Sequence, residues 1–442
     1  MSPISETSLR LRRAYGSERD QRSEVRNLKS EIRDQKSATS NQTQSSVLSP
    51  PAIRISLLTG GGDKPYALGL AVALTSEGIS VEFIGSDDLN APELLNNPKV
   101  QFLNLRGDQR SDAGFVVKAL RVARYYFRLI CYAATARPKI FHILWNNKFE
   151  LFDRTLLLFY YKLLGKRLVF TAHNVNARKR DASDSFLNRI SLRIQYRLSD
   201  HIFVHTERMK RELLSDFGIE ESKVSVIPFG INNTVPNTAL TSVEAKRQLS
   251  VSSTDKTILF FGNIAPYKGL EYLISAFTEL LTKDGSYRLI IAGKSKGSED
   301  YWNQIQQATA RNTTRNRIIE KIEYVPDEET EVYFKAADVL VLPYARIFQS
   351  GVLLLGYSFG LPAIAADVGS LREEIIEGET GFVSKPQDSS DLARTIGKYF
   401  ESELFHNLEN RRLEIKEYAN ERYSWSKVAA TTTAVYSKLV AS

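Results

Sequence analysis

The sequence predicts an α/β protein with two domains, each built around a parallel sheet. The chain has 442 residues, of which 43% are apolar, enough for two or three domains with sizeable cores. Short apolar runs of strand length alternate with segments whose apolar residues recur at helical spacing, a pattern typical of parallel sheets joined by helices. A polar stretch over residues 232–255 separates two such series and is the natural linker.

The N-terminal segment differs in composition from everything that follows. Residues 1–50 hold nine Lys and Arg against six Asp and Glu, with scattered apolar residues. Such a segment cannot bury enough apolar surface to offset the entropy lost on ordering. We expect a disordered polar tail over residues 1–52, with a wrongly assigned start site as the alternative.

The composition limits the kinds of site and partner. Cys131 is the only cysteine of the sequence, which excludes an internal disulfide and a Cys-cluster metal site. The polar N-terminus predicts no secretory signal, and no apolar run approaches the roughly 18 residues of a membrane-spanning helix. We therefore expect a cytoplasmic protein. The net charge of +8 suits anionic partners, namely sugar nucleotides, nucleic acid or acidic lipid.

The first series opens with a glycine-rich turn. A strand at Ile53–Leu58 is followed by Gly60, Gly61 and Gly62 and then by a helical pattern. The G-x-G-x-x-G spacing of a dinucleotide fingerprint is not met, so the turn gives little support for an NAD site. The glycines allow a ligand or a facing domain to approach the backbone closely. A tight turn without a ligand is the alternative.

A histidine ends a later strand of this series. Strands are predicted at Ile140–Leu144 and Leu168–Thr171, and His173 and Asn174 follow the second one. Ligands bind beyond the carboxyl ends of such strands, where imidazole can donate to a hydroxyl or phosphate or take part in proton transfer. We expect a functional role for His173. Four other histidines are expected to be structural: His142, His201, His205 and His406.

A basic helix is predicted over Phe115–Ala134. Lys118, Arg121, Arg124 and Arg128 recur every three or four residues, so they share one face. Basic amphipathic helices can lie on anionic membranes, which would hold the protein at the inner face of the membrane. The alternative is a solvated face on a helix that packs against a sheet.

The second series begins with the stretch around which the prediction of a site is built. A strand at Ile258–Phe261, the loop Gly262–Lys268 and a helix over Leu270–Leu281 form half of a parallel α/β unit. The N-terminus of such a helix offers free N–H groups to an anion, and Lys268 adds a positive charge. A phosphate or diphosphate is the natural ligand, and an ordinary turn with a surface lysine is the alternative.

Two further loops repeat this arrangement. Gln349, Ser350, Gly351 and Val352 lead into a helix after the strand Val339–Pro343, and a third loop, Val368-Gly369-Ser370, follows the strand Ala363–Ala366. Strands are also predicted at Arg288–Ala292 and Ile318–Tyr324. Three helix N-termini with Lys268 at one crevice would stabilise the charge that builds on a diphosphate as its bond to a sugar breaks.

With these motifs in place, the chain resembles the retaining GT-B glycosyltransferases of family 4, the glycosyltransferase group 1 type. The second half carries FFGN, YKGLEYLISAF, LIIAGK, YVPDEETEVYFKAADVLVLPY and QSGVLLLGYSFGLPAIAADVGSLREEI. The first half adds TAHNV, HTERMK and VIPFGIN. The similarity covers residues 53–440, and the order and spacing of these pieces are specific to the family.

The resemblance implies two Rossmann-like domains facing a cleft. Residues 53–235 would form the acceptor-side domain, residues 236–420 would bind the nucleotide-sugar donor, and a helix within residues 421–442 would cross back to the first domain. Catalysis would be metal-independent, without a cofactor, and would use His173 and Lys268. The acceptor-side loop would comprise Gly60, Gly61, Gly62 and Asn174. The implied donor-binding residues are Gly262, Asn263, Lys268, Lys294, Gln349, Ser350, Gly351 and Val352.

The sequence departs from the family pattern at three positions. Asn263 stands where the family usually has Arg, and Ile347 and Leu355 stand where it has paired glutamates. The second glutamate commonly holds the donor ribose, so that contact is in doubt. Gln349 or a backbone group is the expected substitute.

Three functional hypotheses follow. The first is a transferase that moves a sugar from a nucleotide diphosphate to a hydroxyl on a glycan or lipid-linked acceptor, in polysaccharide or glycoconjugate synthesis. The second is a non-catalytic nucleotide-sugar-binding or scaffold protein, suggested by the lost glutamates and Arg. A sugar-nucleotide epimerase is a third, but the loops lack the carboxylates that it needs. The basic residues are dispersed and no recognition module is evident, so we expect no nucleic-acid partner.

Overall fold

The computed structural model describes residues 53–110, 113–180, 183–231, 235–295, 299–310 and 315–441. The predicted tail over residues 1–52 lies outside the described residues. The remainder of the chain forms one unit containing two parallel sheets. No helix within the described residues is long and apolar enough to cross a bilayer.

The first sheet has seven parallel strands in the order β3-β2-β1-β4-β5-β6-β7. The sequence of strands reverses between β1 and β4, so a crevice opens beyond their carboxyl ends. The strands are β1 (Arg54–Leu58), β2 (Ser80–Gly85), β3 (Val100–Asn104), β4 (Ile140–Ile143), β5 (Arg167–Thr171), β6 (His201–Val204) and β7 (Val224–Val226).

The second sheet has six parallel strands in the order β10-β9-β8-β11-β12-β13. Its reversal lies between β8 and β11, which places the second crevice beyond these two strands. The strands are β8 (Lys256–Phe261), β9 (Tyr287–Ala292), β10 (Ile318–Lys321), β11 (Val339–Leu342), β12 (Ala363–Ala366) and β13 (Gly381–Ser384). Two parallel-sheet domains were predicted, and both are confirmed.

Helices cover the faces of the two sheets. In the first domain they are α1 (Lys64–Ser76), α2 (Pro92–Leu95), α3 (Phe115–Thr135), α4 (Glu150–Phe152), α5 (Leu158–Leu163), α6 (Ala177–Arg180), α7 (Phe186–Leu198) and α8 (Glu207–Phe217). A π-helical turn at Asp153–Leu157 joins α4 to α5. The remaining helices are α9 (Ser242–Gln248), α10 (Leu270–Lys283), α11 (Glu299–Ala310), α12 (Asp327–Ala336), α13 (Gly351–Ser358), α14 (Ser389–Phe400), α15 (Glu403–His406), α16 (Leu408–Arg422) and α17 (Trp425–Ala441).

The last helix, α17, packs on α1 of the first domain, as the sequence predicts. Trp425, at its start, lies against Gly69 of α1 and Gly230. The indole Nε1 of Trp425 donates to the carbonyl oxygen of Ile231 at 3.0 Å. Tyr436 is fully buried in the same core as β1. The helix is therefore held at both ends.

Some elements escaped the sequence analysis. Strand β3 at the sheet edge exposes Gln101 and Asn104, so its pattern is only half apolar. Strand β13 is short and begins with Gly381, which carries no side chain to mark an apolar run. The predicted strand over residues 318–324 ends at Lys321.

The packing of Trp425 on Gly69 gives a test of how α17 is anchored. A Cβ atom at Gly69 would lie 2.3 Å from Cε2 of Trp425, whereas a Cβ at Gly397, inside α14, meets nothing within 4 Å. We expect Gly397→Ala to raise the free energy of unfolding by up to about 1 kcal/mol through helix propensity. We expect Gly69→Ala to lower it by about 1–3 kcal/mol, because overpacking outweighs that gain. Equal urea unfolding curves for the two variants would contradict the packing.

A buried histidine predicts how stability depends on pH. His142 contacts the Tyr436 hydroxyl at 2.5 Å and the Thr171 hydroxyl at 2.7 Å, and burial lowers its pKa to about 3. Below its ordinary pKa of about 6.5, the unfolded chain takes up a proton that the folded protein excludes. Stability should be full above that pH and should fall by up to about 1.4 kcal/mol per unit as the pH drops towards 3.

The measurement is urea unfolding at several pH values. His142→Gln should have a shallower slope of unfolding free energy against pH than the wild type. The control is His406→Gln, at an exposed position, which should leave the slope unchanged. A wild-type slope in the His142 variant would show that another group is responsible.

Candidate active site

Lys268 lies at the crevice of the second sheet. The chain leaves β8 at Phe261, and a single 3-10 turn over Pro266–Lys268 precedes α10. This turn buries the Lys268 side chain, which is 6% exposed. Its Nζ donates to the Tyr344 hydroxyl at 3.0 Å and lies 4.8 Å from the centre of that ring. The Tyr344 hydroxyl thus holds the Lys268 amino group at this crevice.

The N-terminus of α13 meets Lys268 at the same point. The Tyr344 hydroxyl is 3.4 Å from Oγ of Ser350, the residue that precedes α13. A Cβ atom on Gly262 would lie 3.3 Å from both Lys268 Nζ and Val352 Cγ2. Gly262, Lys268, Ser350 and Val352, which are far apart in the sequence, therefore converge. An ammonium beside free helical N–H groups can bind an anion.

Two other predicted donor-side residues lie at the edge of this cluster. The loop after β9 follows the loop after β8, with Ile264 N donating to the carbonyl oxygen of Lys294 at 2.9 Å. The side chains of Asn263 and Lys294 are exposed. The structure therefore brings the backbone of Lys294 next to the Gly262 loop without burying its charge there.

The third predicted helix N-terminus is different. Ser370 precedes a single 3-10 turn over Leu371–Glu374 rather than an α-helix, so the expectation of three helix N-termini is wrong. Ser370 instead supports the loop before α13, because its backbone N and its Oγ donate to the carbonyl oxygen of Phe348 at 3.0 and 2.8 Å. In that loop, Oε1 of Gln349 is buried without a hydrogen-bond partner among the described residues. It can accept from a ligand hydroxyl.

The glycine turn of the first domain packs against two large side chains, Arg106 and Trp145. Gly60 and Gly61 have φ values of 58° and 82°, in the left-handed region that favours glycine. A Cβ on Gly61 would lie 2.0 Å from Nη1 of Arg106, and one on Gly62 would lie 2.0 Å from the Trp145 ring. The turn therefore needs glycine because Arg106 and Trp145 press against it. Its other side is open, since Gly61 and Gly62 are exposed.

His173 lies beside this turn, with Asn174 half-buried after it. The imidazole stacks on Trp145, with ring centres 4.1 Å apart and planes 4° apart, and the Tyr66 ring meets it edge-on at 4.6 Å. Nδ1 of His173 is 2.9 Å from Nε2 of His205, and Nε2 of His173 is buried without a partner among the described residues. Burial, then the neighbouring His205, hold the pKa of His173 well below its ordinary value.

Sequence reasoning missed the residues that hold His173. His205 was expected to be structural only, yet its ring contacts His173. Tyr66 contacts a group of rings at 4.6–5.7 Å that comprises Trp145, His173, His205, Phe229 and Trp425. Trp145, His205 and Phe229 each follow the carboxyl end of a strand, as His173 does. Their position directly after a strand was the feature of the sequence that could have identified them.

Residues of both domains line cavities in the space between the domains. A cavity of about 310 Å³ is lined by Tyr66 and Phe229 from the first domain and by Gly351, Val352 and Leu355 from the second. A larger cavity of about 820 Å³ is also lined by residues of both domains, including Ile347. Across the cleft, Nη1 of Arg208 donates to the carbonyl oxygen of Gly369 at 2.8 Å. The predicted cleft between the domains is present.

Leu355 and Ile347 occupy the positions where the resemblance suggested glutamates, and both are half-buried beside the two cavities. Both side chains are apolar, so neither can form a hydrogen bond with a ribose hydroxyl. The described residues contain no group of three or more His, Cys, Asp or Glu that could hold a metal ion. Lys268 and the start of α13 supply positive charge at the crevice of the second sheet.

Comparison with solved structures identifies the same architecture in other proteins. Sucrose-phosphate synthase from Thermosynechococcus elongatus superimposes with a TM-score of 0.71 at 18% identity, over 88% of this chain and 99% of that one. Anabaena Alr3699/HepE in complex with UDP gives a TM-score of 0.68 at 16% identity, over 87% and 100% of the two chains. At these identities the likeness concerns the fold.

Curated relatives match part of the chain. A D-inositol 3-phosphate glycosyltransferase of Corynebacterium aurimucosum is 25% identical over 285 residues, 61% of this chain and 65% of that protein. An uncharacterized glycosyltransferase of Methanocaldococcus jannaschii is 27% identical over 243 residues, 54% of this chain and 60% of that protein. The chain thus spans a little under two thirds of the length of these relatives.

Two protein-family models match the chain in succession. The model of Glycosyltransferase Family 4 covers residues 60–234, and the model of Glycosyl transferases group 1 covers residues 242–422. Together they take in both sheets and both halves of the cleft. The chain therefore belongs to the group 1, family 4 glycosyltransferases of GT-B fold.

Proposed function

We propose that the protein transfers a sugar from a nucleotide-diphosphate donor to a hydroxyl acceptor, retaining the anomeric configuration and needing no metal ion or cofactor. The observation that carries this proposal is the buried ammonium of Lys268 beside the start of α13. Family membership supports it, as do relatives named as glycosyltransferases and the HepE structures with UDP and UDP-glucose.

The proposed chemistry concerns the bond between the sugar and the diphosphate. As this bond breaks, negative charge grows on the departing phosphate oxygen. Lys268 and the N–H groups of Gly351 and Val352 stabilise that charge, the role that a metal ion has in other transferases. Gly262 leaves room for the phosphate because any side chain there would contact Lys268 and Val352. Asn263 and Lys294 flank this position.

The first domain holds the sugar and the acceptor in this proposal. His173 presents its partnerless Nε2 near the cleft, and the open side of the Gly60–Gly62 turn, with Asn174, borders the acceptor. The acceptor is a hydroxyl-bearing glycan or lipid-linked sugar, used in polysaccharide or glycoconjugate synthesis. Nucleic acid has no part in the reaction.

The donor ribose needs a contact that replaces the missing glutamate. Leu355 lines the smaller cavity beside Val352, and neither side chain offers a hydrogen-bond acceptor. Gln349 offers one, because its buried Oε1 has no partner in the described part of the chain. We propose that Gln349 and nearby backbone groups hold the donor hydroxyls.

A non-catalytic nucleotide-sugar-binding protein is the second candidate. The hydrophobic Ile347 and Leu355 favour it, since the family pattern has acidic residues there. Such a protein would bind nucleoside diphosphate through Lys268 but would release none from any nucleotide sugar. A screen of nucleotide sugars for hydrolysis or transfer, with free nucleoside diphosphate as the readout, separates the two candidates.

Membrane attachment is a further part of the proposal. Helix α3 exposes large apolar side chains, including Phe115 at 85% and Phe127 at 69%, while its inner face buries Tyr125, Tyr126 and Leu129. Lys118 and Arg124 are exposed beside this stripe, whereas Arg121 pairs with Asp108 at 3.5 Å. The fourth predicted basic residue, Arg128, is half-buried.

The exposed apolar surface continues onto the neighbouring helices. Phe149 stacks on Tyr126 of α3, which places the start of α4 beside α3. Phe149 and Leu151 are 57% and 55% exposed, and Phe186 and Leu187, at the start of α7, are 76% and 65% exposed. Apolar side chains flanked by basic ones suit the interface of an anionic bilayer. We propose that this face holds the enzyme peripherally at the inner membrane surface, close to a lipid-linked acceptor.

The first functional prediction concerns Lys268. Lys268→Met keeps the length of the side chain but removes the charge, so the loss of charge-assisted contacts to the diphosphate should cost about 1.5–3 kcal/mol. We expect turnover and nucleoside diphosphate affinity to fall by about 10- to 150-fold. The measurements are calorimetric binding of nucleoside diphosphates and the transfer assay with the donor found in the screen.

The matched control is Lys283→Met, on the exposed side of α10, where the lysine pairs with Glu279 at 2.9 Å. This variant should keep wild-type binding and turnover. Unchanged kinetics in the Lys268 variant would remove that residue from the site. Binding that depends on Lys268 without any transfer by the wild type would favour the non-catalytic candidate.

The second functional prediction concerns the membrane face. We expect flotation with anionic vesicles at low salt, little with neutral vesicles, and release as salt increases, because each surface lysine or arginine contributes about 1 kcal/mol. Phe115→Ser and Arg124→Glu should each weaken flotation. Leu413→Ser, at a 62% exposed position on α16 of the other domain, is the control and should float normally. No flotation of the wild type at low salt would reject the membrane proposal.

A further inference from the structure

The two nitrogens of the His173 ring have different surroundings. Nδ1 lies 2.9 Å from Nε2 of His205, while Nε2 is buried without a hydrogen-bond partner among the described residues. A neutral imidazole carries its proton on only one of these nitrogens. Which nitrogen carries it decides whether His173 offers a ligand a donor or an acceptor.

A backbone carbonyl group determines which nitrogen of His173 carries the proton, because it sets the tautomer of His205. Nδ1 of His205 lies 3.2 Å from the carbonyl oxygen of Ile227, and a carbonyl can only accept, so His205 carries its proton on Nδ1. Its Nε2 then has a lone pair and can only accept. The 2.9 Å contact therefore requires His173 to donate from Nδ1, which leaves a lone pair on Nε2 of His173.

The surroundings keep both rings neutral and in place. Burial lowers the pKa of His205 to about 4 and holds that of His173 lower than its ordinary value. Trp145 stacks on His173, and Tyr66 from α1 meets both imidazoles edge-on. Phe229 packs against His205 at 5.0 Å. These contacts hold the planes of both rings in place, with Nδ1 of His173 within hydrogen-bond distance of Nε2 of His205.

Charged groups lie on the far side of His205. The cavity of about 440 Å³ that His205 lines also contains Glu374, Arg422, Tyr423 and Lys427. Glu374 accepts a hydrogen bond from the Tyr423 hydroxyl and is 3.9 Å from Nε of Arg422. Its charge is therefore engaged away from the histidine pair. His142, in strand β4, is neutral and is hydrogen-bonded to Tyr436 and Thr171.

We propose that His205 is a positioning residue that holds His173 in the tautomer protonated on Nδ1, so that Nε2 accepts a hydrogen bond from a hydroxyl of the bound sugar or acceptor. This inference rests on the proposed transferase function. It narrows the expectation from sequence, in which His173 could donate to a hydroxyl or phosphate or take part in proton transfer, because its free nitrogen carries no proton to donate. Recognition at this point selects a ligand with a hydroxyl and disfavours the corresponding deoxy compound.

The test uses two substitutions of His205 in the full chain. His205→Gln retains an acceptor near the position of Nε2, whereas His205→Phe keeps the ring but removes both nitrogens. Proton–nitrogen NMR correlations identify the protonated nitrogen of His173, with assignment from a His173→Gln sample. The same proteins are assayed for kcat and KM, for nucleoside diphosphate binding and for thermal unfolding.

We expect a proton on Nδ1 of His173 in the wild type and in His205→Gln, and a shift of the proton towards Nε2 in His205→Phe. The Phe variant should lose about 3- to 10-fold in kcat/KM, the effect of one neutral hydrogen bond, while the Gln variant keeps most of the activity. Nucleoside diphosphate affinity, which depends on Lys268 across the cleft, should not change in either variant.

Two results would overturn the inference. One is a wild-type His173 protonated on Nε2, and the other is a Gln variant that loses as much kcat/KM as the Phe variant while both remain folded. The NMR result does not depend on turnover. A wild type with the expected tautomer but no activity on any nucleotide sugar would count against the transferase proposal and leave the role of His205 in setting the tautomer intact.

Discussion

The parallel arrangement of both sheets is the constraint on which the site depends. In a parallel sheet every strand ends on the same edge, and each connection returns over a face of the sheet. All loops that follow strands therefore gather at one edge of each domain. The crevices lie where strand order reverses, beyond β1 and β4 in one domain and beyond β8 and β11 in the other. This geometry explains why Lys268 and His173 each lie in a loop beyond the carboxyl end of a strand.

The two domains contribute different chemistry to the cleft. The second domain offers a buried ammonium and a helix N-terminus, which suit an anion. The first offers aromatic rings and a neutral imidazole, which suit the faces and hydroxyls of a sugar. The closure between them includes Trp425, whose helix begins beside the smaller cavity and continues along α1. The polypeptide chain thus crosses the cleft twice, once into the second domain and once back to the first.

The apolar residues at the two glutamate positions change how the donor can be held. Ile347 and Leu355 stand where the family pattern has carboxylates, so the proposed function assigns the hydrogen bonds to the donor to the backbone and to Gln349. Ser370 supports that loop by donating twice to Phe348, and Phe348 itself packs on the core of the first domain. The position of this loop is therefore determined by packing between the domains rather than by charge.

The sequence by itself determined the fold class, most strands of both sheets, the C-terminal helix and the loop around Lys268, because apolar periodicity and turn residues act over short distances. The edge strands β3 and β13 were not predictable in this way, since half-buried or very short strands carry little apolar pattern. Only the tertiary structure decided that Ser370 supports a loop instead of starting a helix, and that His205 contacts His173. These contacts join residues 22 and 32 positions apart. Contacts over such distances depend on how strands and loops are arranged in space, which local sequence does not encode.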